Sequence, residues 1–489
     1  SLDSNDPGFR ERVIRAGMWN SVGRVATEGS RYVIAIVLAR LLSPAEFGLI
    51  ALATALMTLI HAFADLRIGY GLIQKPDVSE EQWSSAFWLC SVIGVALTIA
   101  FAAAAPLVAS FYENPVLVPI VWVLALNFVL SALILIPKTQ LEKALRFKAL
   151  AAAQLIVVVA TGGAAIVMAV AGFGVWSLVV QSTGATLIEM VLVFAYARWR
   201  PALTLHWASL RPLLSFSGPL ILGDVINTLV ASADRLILGK MVTPSALGLY
   251  SRAKTFLYLP VGNLSFTLCR VMFPSLSALQ ADPERLRRAT LKMLKLLAVV
   301  SFPLMAVMAV AAEPLVRVVL GPKWLEVVPL MQVFALAGLP ASFNAVSSTI
   351  FLSQGEIGLF FRLNLLRQLV SLGFVFAGSF WGVMGCSLGV ACSAVVIFSI
   401  DALFIARHIG ASLGEYLRQL VPTLLTAAAT ALWVFLVGQL LGPRQDLLRV
   451  ASLASAGPVY IIALAFLDRQ GLGVVRETIR HSGFLPRGV

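Results

Sequence analysis

Apolar residues run along this chain in blocks of roughly 20 residues or more, the length a helix needs to cross a bilayer. Short clusters of Lys, Arg, Pro, Gly and Asp separate the blocks. The ~10-residue alternation of a membrane β-barrel is not the pattern here. Fourteen spans are predicted: 17–41, 45–66, 83–111, 115–136, 149–171, 174–196, 214–239, 245–272, 289–312, 325–352, 359–380, 383–406, 419–441 and 447–467. The expected fold class is all-α and polytopic, with an even span count that puts both termini on one side.

Composition narrows the function. Of the 489 residues, 59% are hydrophobic and 12% charged, with a mean hydropathy of +0.90. A soluble domain carries about a quarter charged residues. A soluble enzyme, a fibrous protein and a disordered chain are therefore excluded. The net charge of +13 would point to nucleic acid in a soluble protein. Here the excess lies at alternate span ends: 24 Lys and Arg on one side against 6 on the other. That bias places both termini in the cytoplasm. The polar, basic stretch Ser1 to Arg15 lacks the features of a cleavable signal, so the first span is expected to be its own anchor. Outer loops are short, and Glu313–Pro322 is expected to form an interfacial helix. The cysteines Cys90, Cys269, Cys386 and Cys392 sit in apolar runs without a C-x-x-C pair and read as small buried hydrophobes.

The chain repeats itself. Ala39-Arg-Leu-Leu-Ser43-Pro44-Ala-Glu-Phe47-Gly48 matches Gly239-Lys-Met-Val-Thr243-Pro244-Ser-Ala-Leu247-Gly248 at an offset of 200. Gln140 to Lys148 matches Gln354 to Arg362 at 214, and Phe173-Gly174-Val175 matches Trp381-Gly382-Val383 at 208. Three ordered matches indicate a duplicated six-span unit. Both copies begin on the same side, so the repeat is parallel. The expected domains are an N-terminal lobe over 1–212, a C-terminal lobe over 213–410, and two added spans with a cytoplasmic tail over 411–489. Two such lobes facing a central cavity make a transporter architecture.

Four motifs carry a resemblance: Leu38-Ala-Arg-Leu-Leu-Ser-Pro-Ala-Glu-Phe-Gly48, Gly172-Phe-Gly-Val-Trp-Ser-Leu-Val-Val-Gln181, Gly248-Leu-Tyr-Ser-Arg-Ala253 and Arg270-Val-Met-Phe-Pro-Ser-Leu-Ser277. With them the chain resembles the multidrug/oligosaccharidyl-lipid/polysaccharide flippase superfamily, and within it the exporters of the colanic-acid and succinoglycan type. The resemblance covers spans 1–12 well and the last two only by count. It implies a flippase for undecaprenyl-pyrophosphate-linked oligosaccharide units, moved from the cytoplasmic to the periplasmic leaflet of a bacterial inner membrane. The expected partners are that lipid-linked sugar, membrane lipids and the polysaccharide polymerase machinery. A functional monomer is the expectation from two closed lobes.

Charges inside spans are costly and mark cavities. Arg24, Glu28 and Arg31 form one stripe of span 1 at spacings of four and three. Two arginines suit a pyrophosphate, because guanidinium offers paired donors to phosphate oxygens, and Glu28 would neutralise the empty site. Span 7 places Asp224, Asn227, Thr228, Ala231 and Arg235 on one face, with Asp234 beside it. Arg24 and Asp224 are equivalent at the repeat offset, and they are expected to pair or to compete for substrate. The resemblance implies that spans 1 and 7 line the cavity from opposite lobes. Arg252 and Arg270 share a face of span 8, about 27 Å apart. Glu28, Asp224 and Asp234 are candidates for ion coupling. His61 with Asp65, and the single acids Glu189 and Asp401, read more simply as packed polar contacts. Gly218-Pro219, Pro260-Val-Gly262, Pro303 and Gly338-Leu-Pro340 are expected to bend the second lobe.

No G-x-x-x-x-G-K-[ST] sequence marks an ATP site, and four scattered histidines argue against a His-based metal cluster. No cofactor, metal or catalytic residue is expected. The competing readings are a cation-coupled multidrug exporter, a peptidoglycan-precursor flippase and, of another class, a membrane polysaccharide polymerase. The arginines beside Glu28 argue against the first. Exporter-type motifs argue against the second. Short outer loops argue against the third.

Overall fold

A computed structural model describes residues 23, 26–64, 68–75, 77–204, 206–207, 210, 227–441 and 445–473. Among these residues every regular element is a helix. Ten are long and apolar enough to cross a membrane, so this is a multi-pass membrane protein. The fourteen expected spans are not all recovered by that measure. Only Gly23 and 26–41 of span 1, and 227–239 of span 7, lie within helices among the described residues.

The outward faces confirm the solvent. Leu107, Val167, Leu440 and Phe466 are among many large apolar side chains exposed along the helices. A water-facing surface would carry charge there; hydrocarbon does not require it.

The chain divides into two compact units, 1–248 and 249–489. In the first, α1 (26–41) and α2 (Pro44–Ala64) are followed by the short α3 (Ile68–Gln74). Then come two helical hairpins, α4 (Glu80–Phe111) with α5 (Leu117–Lys143), and α6 (Phe147–Val170) with α7 (Val175–Ala197). Last is α8 (227–241). Helix α4 starts where Ser79 and Gln82 form a reciprocal capping box, with Glu80 and Glu81 in the first turn. Phe101 and Phe128 meet edge to face in the core between α4 and α5.

The second unit runs α9 (Pro244–Ser277, its first turn in unit 1), α10 (Pro283–Val310), α11 (Ala312–Val319), a 3-10 turn (Pro322–Val327), α12 (Val328–Ala341) and α13 (Asn344–Ser353). It continues with α14 (Ile357–Ser379), α15 (Gly382–His408), α16 (Leu413–Arg418), α17 (Val421–Leu441), α18 (Asp446–Ser452) and α19 (Ala456–Leu467). Helices α14 and α15 touch backbone to backbone, because a Cβ on Gly378 would overlap the carbonyl of Gly385. The expected interfacial helix is α11, held at its surface by Arg317 on Glu313 at 2.8 Å. The repeat also shows in the backbone: Gly174 and Gly382, equivalent at offset 208, both take positive φ, +56° and +67°.

The expected bends are realised unevenly. The break falls between α12 and α13, just after Pro340. Helix α9 is unbroken through Pro260 and Gly262, and α10 through Pro303. Gly218-Pro219 lies outside the described residues.

Helices α17 and α19 are fastened to α10 by a fully satisfied buried ion pair. Lys295 Nζ is 2.7 Å from Asp468 Oδ2, with side-chain exposures of 3% and 2%. Lys295 also donates to the carbonyl of Gln419 at 2.8 Å. Asp468 accepts from Thr423 Oγ1 at 2.6 Å and from the Gly471 amide at 2.9 Å. Tyr460 adds a bond to the Val299 carbonyl at 2.7 Å. Removing one partner strands a buried charge, at about 3–5 kcal/mol. Lys295→Met and Asp468→Leu should each lower the melting temperature in detergent strongly. The double variant should regain most of the loss. A double variant as unstable as the sum of the two would show that the pair itself is not what is broken.

Candidate functional site

The charged stripe of α1 is built by helix geometry. Ile34 packs over Gly162, where a Cβ would overlap it, so α1 lies close against α6. A cavity of about 520 Å³ on that side is lined by Ala26, Gly29, Ser30, Val33 and Ile34 of α1 with Val159, Gly163 and Ile166 of α6. At 100° per residue, Glu28 and Arg31 fall on the opposite face of α1. There they pair, Arg31 Nη1 to Glu28 Oε1 at 3.4 Å, with side-chain exposures of 59% and 39%. The pair is open to its surroundings and not sealed into packing. Arg24, the third member, lies outside the described residues, as do Asp224 and its expected pairing.

Helix α8 holds Asp234 at 2% exposure, accepting from the Arg235 amide at 2.8 Å. Arg235 is half-buried. Its Nη2 reaches Ser232 Oγ at 3.4 Å, and its Nε is buried without a partner. Arg252 is half-buried in α9, while Arg270 is exposed. Because α9 is one continuous helix, the 18 residues between them keep these two arginines about 27 Å apart, too far to share one ligand group. The side chains of His61 and Asp65 lie outside the described residues. Glu189 has a partner in Lys138 at 2.8 Å, and Asp401 has one in Arg367 at 3.5 Å. Lys138, Lys295 and Arg367, three of the 24 cations on the more basic side, are paired within the fold. Removing those three from 24 leaves 21 against 6, so the bias survives. Cys90, Cys269 and Cys386 are buried as expected; Cys392 is exposed.

The repeat motifs have a role that sequence reasoning missed. The starts of α2 and α9 cross at Gly48 and Gly248. A Cβ on Gly48 would overlap the carbonyl of Pro244, and a Cβ on Gly248 that of Pro44. The contact is reciprocal, and the two glycines match at the sequence offset of 200. Two helices approach this closely only where neither carries a side chain. Glu46 closes a capping box in the first copy: Oε2 accepts from the Ser43 amide at 2.6 Å and Ser43 Oγ at 2.8 Å. Its other oxygen sits against Gly174 in the connection between α6 and α7. The S-x-x-E spacing in the sequence was the available signal. Beside the crossing is a cavity of about 390 Å³ lined in part by Leu52, Tyr112, Lys240 and Thr243. Lys240 bonds Glu113 at 2.6 Å and lies over the Phe111 ring, which ties α8 to the end of α4. Lys240 holds the Glu113 carboxyl below its usual range.

The polysaccharide biosynthesis protein family matches residues 37–329, which contain all four motifs quoted above. The chain belongs to that family. It is 25% identical over 452 residues to the lipopolysaccharide biosynthesis protein WzxC of Escherichia coli K12, covering 88% of this chain and 90% of the relative. It is 26% identical over 432 residues to the teichuronic acid biosynthesis protein TuaB of Bacillus subtilis, covering 86% and 88%. Among solved structures, the lipid II flippase MurJ in an inward closed conformation has the same fold, with a TM-score of 0.74 at 14% identity over 92% of this chain and 99% of that one. The family therefore agrees with the resemblance read from the motifs: the chain is a polysaccharide flippase relative of the multidrug/oligosaccharidyl-lipid/polysaccharide type.

The Gly48–Gly248 crossing gives a sharp expectation. With cysteines at Glu113 and Lys240 as reporters, the otherwise native chain should cross-link efficiently. Adding Gly48→Ala or Gly248→Ala should cut cross-linking several-fold, because the new methyl meets backbone and not a movable side chain. Equal cross-linking would mean that the helix starts are not held at this contact. The Glu113–Lys240 pair contributes above the ordinary carboxylate pKa of about 4.3 and is lost as pH falls through the lowered value.

Proposed function

We propose that this protein moves polyprenyl-pyrophosphate-linked oligosaccharide units from the cytoplasmic to the outer leaflet of a bacterial inner membrane, by alternating access. Both termini lie in the cytoplasm, and the protein acts as a carrier rather than an enzyme. The observation that carries this reading is family membership: a chain of many apolar helices whose family and relatives serve polysaccharide synthesis. A pyrophosphate headgroup cannot enter hydrocarbon bare. It needs cationic groups at membrane depth that are not consumed by packing. Arg31 with Glu28, on the face of α1 turned from α6, fits that need, and Arg24 continues the stripe. Guanidinium groups take phosphate oxygens two at a time, and Glu28 holds them when the site is empty. Arg235, Arg252 and Arg270 would guide the headgroup along the path, with Asp224 and Asp234 balancing charge or carrying a coupling ion. The membrane potential assists: each negative charge moved outward gains about 2.3 kcal/mol per 100 mV.

Deletion of the gene should strand intact lipid-linked repeat units on the cytoplasmic leaflet and abolish exported polymer. Wild type should restore export, Arg24→Ala/Arg31→Ala should restore at most about a tenth of it, the ~1.4 kcal/mol of one charge-assisted contact, and Arg31→Lys should restore an intermediate amount. Normal polymer with altered drug tolerance would replace the reading with a drug exporter. Altered linkages in exported polymer would replace it with a polymerase. Full rescue by the double alanine variant would keep the flippase and return the stripe to structure.

A further inference from the structure

The two buried ion pairs of the second unit are built differently. Every charged atom of Lys295–Asp468 is satisfied. Around Arg367–Asp401, by contrast, four polar atoms are buried without a partner: Arg367 Nη2, Asp401 Oδ1, Asn344 Oδ1 and the Tyr416 hydroxyl. The residues that carry them are neighbours. Arg367 Nη1 donates to Ser347 Oγ at 2.9 Å and to the Asn344 carbonyl at 3.2 Å, and stands 3.5 Å from Asp401 Oδ2. Ser347 Oγ donates to Asp401 Oδ2 at 3.0 Å. Tyr416 lies close enough to Asp401 to interact with its charge, and its ring is 6.2 Å from Phe398, which packs on Phe343. Arg367 is 8% exposed, Asp401 1% and Tyr416 0%.

Buried polar groups are rarely left unpaired, and a bound water is one common way to satisfy them. The four atoms specify which one. Arg367 Nη2 is a donor and the Tyr416 hydroxyl can donate. Asp401 Oδ1 and Asn344 Oδ1 are acceptors. That is the complement of one water molecule, which accepts twice and donates twice. A monovalent cation fits worse. The carboxylate already has its guanidinium, so an added cation would leave a net charge buried at low dielectric, and it would face the donor Nη2.

We propose that a single water molecule is bound among Asn344, Arg367, Asp401 and Tyr416, at the break between α12 and α13. It joins four elements: α13 through Asn344, α14 through Arg367, α15 through Asp401 and α16 through Tyr416. Helix α16 leads directly into α17, so the water links the added C-terminal helices to the helix break after Pro340. Neither the family nor the flippase reading requires this site, and it stands on the second unit alone.

The test is X-ray hydroxyl-radical footprinting of the full chain in lipid nanodiscs, with rapid mixing into oxygen-18 water and peptide mass spectrometry. Tyr416 and Phe343, at 0% and 1% exposure, should be oxidised. Their uptake of the heavy isotope should lag that of exposed Phe361 by about ten-fold or more, as for a buried water. No oxidation at these rings, or uptake without a lag, overturns the proposal. Tyr416→Phe removes one of the four partners without changing the packing. It should reduce the label at Phe343 or shorten its lag by about three-fold, and an unchanged label and lag overturns the proposal. Exchanging potassium chloride for sodium chloride should change nothing; labelling suppressed by sodium alone would make this a cation site.

Discussion

Hydrocarbon supplies no hydrogen bonds, so each polar group that crosses it must find its partner inside the protein. That constraint makes every regular element among the described residues helical, and it decides where charge can sit. It also explains why small residues occur at the closest contacts. Without a hydrophobic drive between helices in lipid, association depends on close packing, which Gly378 against Gly385 and Gly162 under Ile34 permit.

The same constraint sorts the charged side chains by role. Lys295 and Asp468 are sealed and complete, and their geometry fastens α17 and α19 to α10. Arg367 and Asp401 are sealed but incomplete, and each is left with polar capacity unused. Glu28 and Arg31 are neither sealed nor complete. Their 3.4 Å contact is a surface-type pair, of a kind worth about 0–1 kcal/mol, which a phosphate can displace at little cost. The transport role proposed for this pair would need that weakness, because a sealed pair would compete with its own cargo.

Much of this was legible in the sequence, for identifiable reasons. Apolar blocks give spans because length against bilayer thickness is a one-dimensional measure. The repeat was readable because Pro44 to Gly48 and Pro244 to Gly248 hold the same spacing. What the sequence did not disclose is pairing across distance. Lys295 and Arg367 read as inner-side anchors, since nothing in a one-dimensional string brings Lys295 to Asp468, 173 positions away, or Arg367 to Asp401. Glu189 and Asp401 were readable as structural acids, though not their partners. The helix break after Pro340 was visible, whereas Pro260 and Pro303 showed the same signal without a break. Proline removes one hydrogen bond in each case; neighbouring helices decide whether the chain must part.

Duplication supplies the last step. The two helix starts that cross at Gly48 and Gly248 have equal backbones and unequal caps. In the first copy Glu46 bonds Ser43 twice and fills the space at Gly174, so loop, cap and neighbouring connection form one block. In the second copy Ala246 stands where Glu46 would be, and Thr243 Oγ1 accepts only the Ala246 amide at 3.3 Å. Gly382, the counterpart of Gly174, meets nothing within 4 Å. A rigid start pressed against a loosely capped one gives a crossing whose compliance lies on the α9 side. The turn before Pro244 joins this start to α8, whose Lys240 bonds Glu113 at the end of α4.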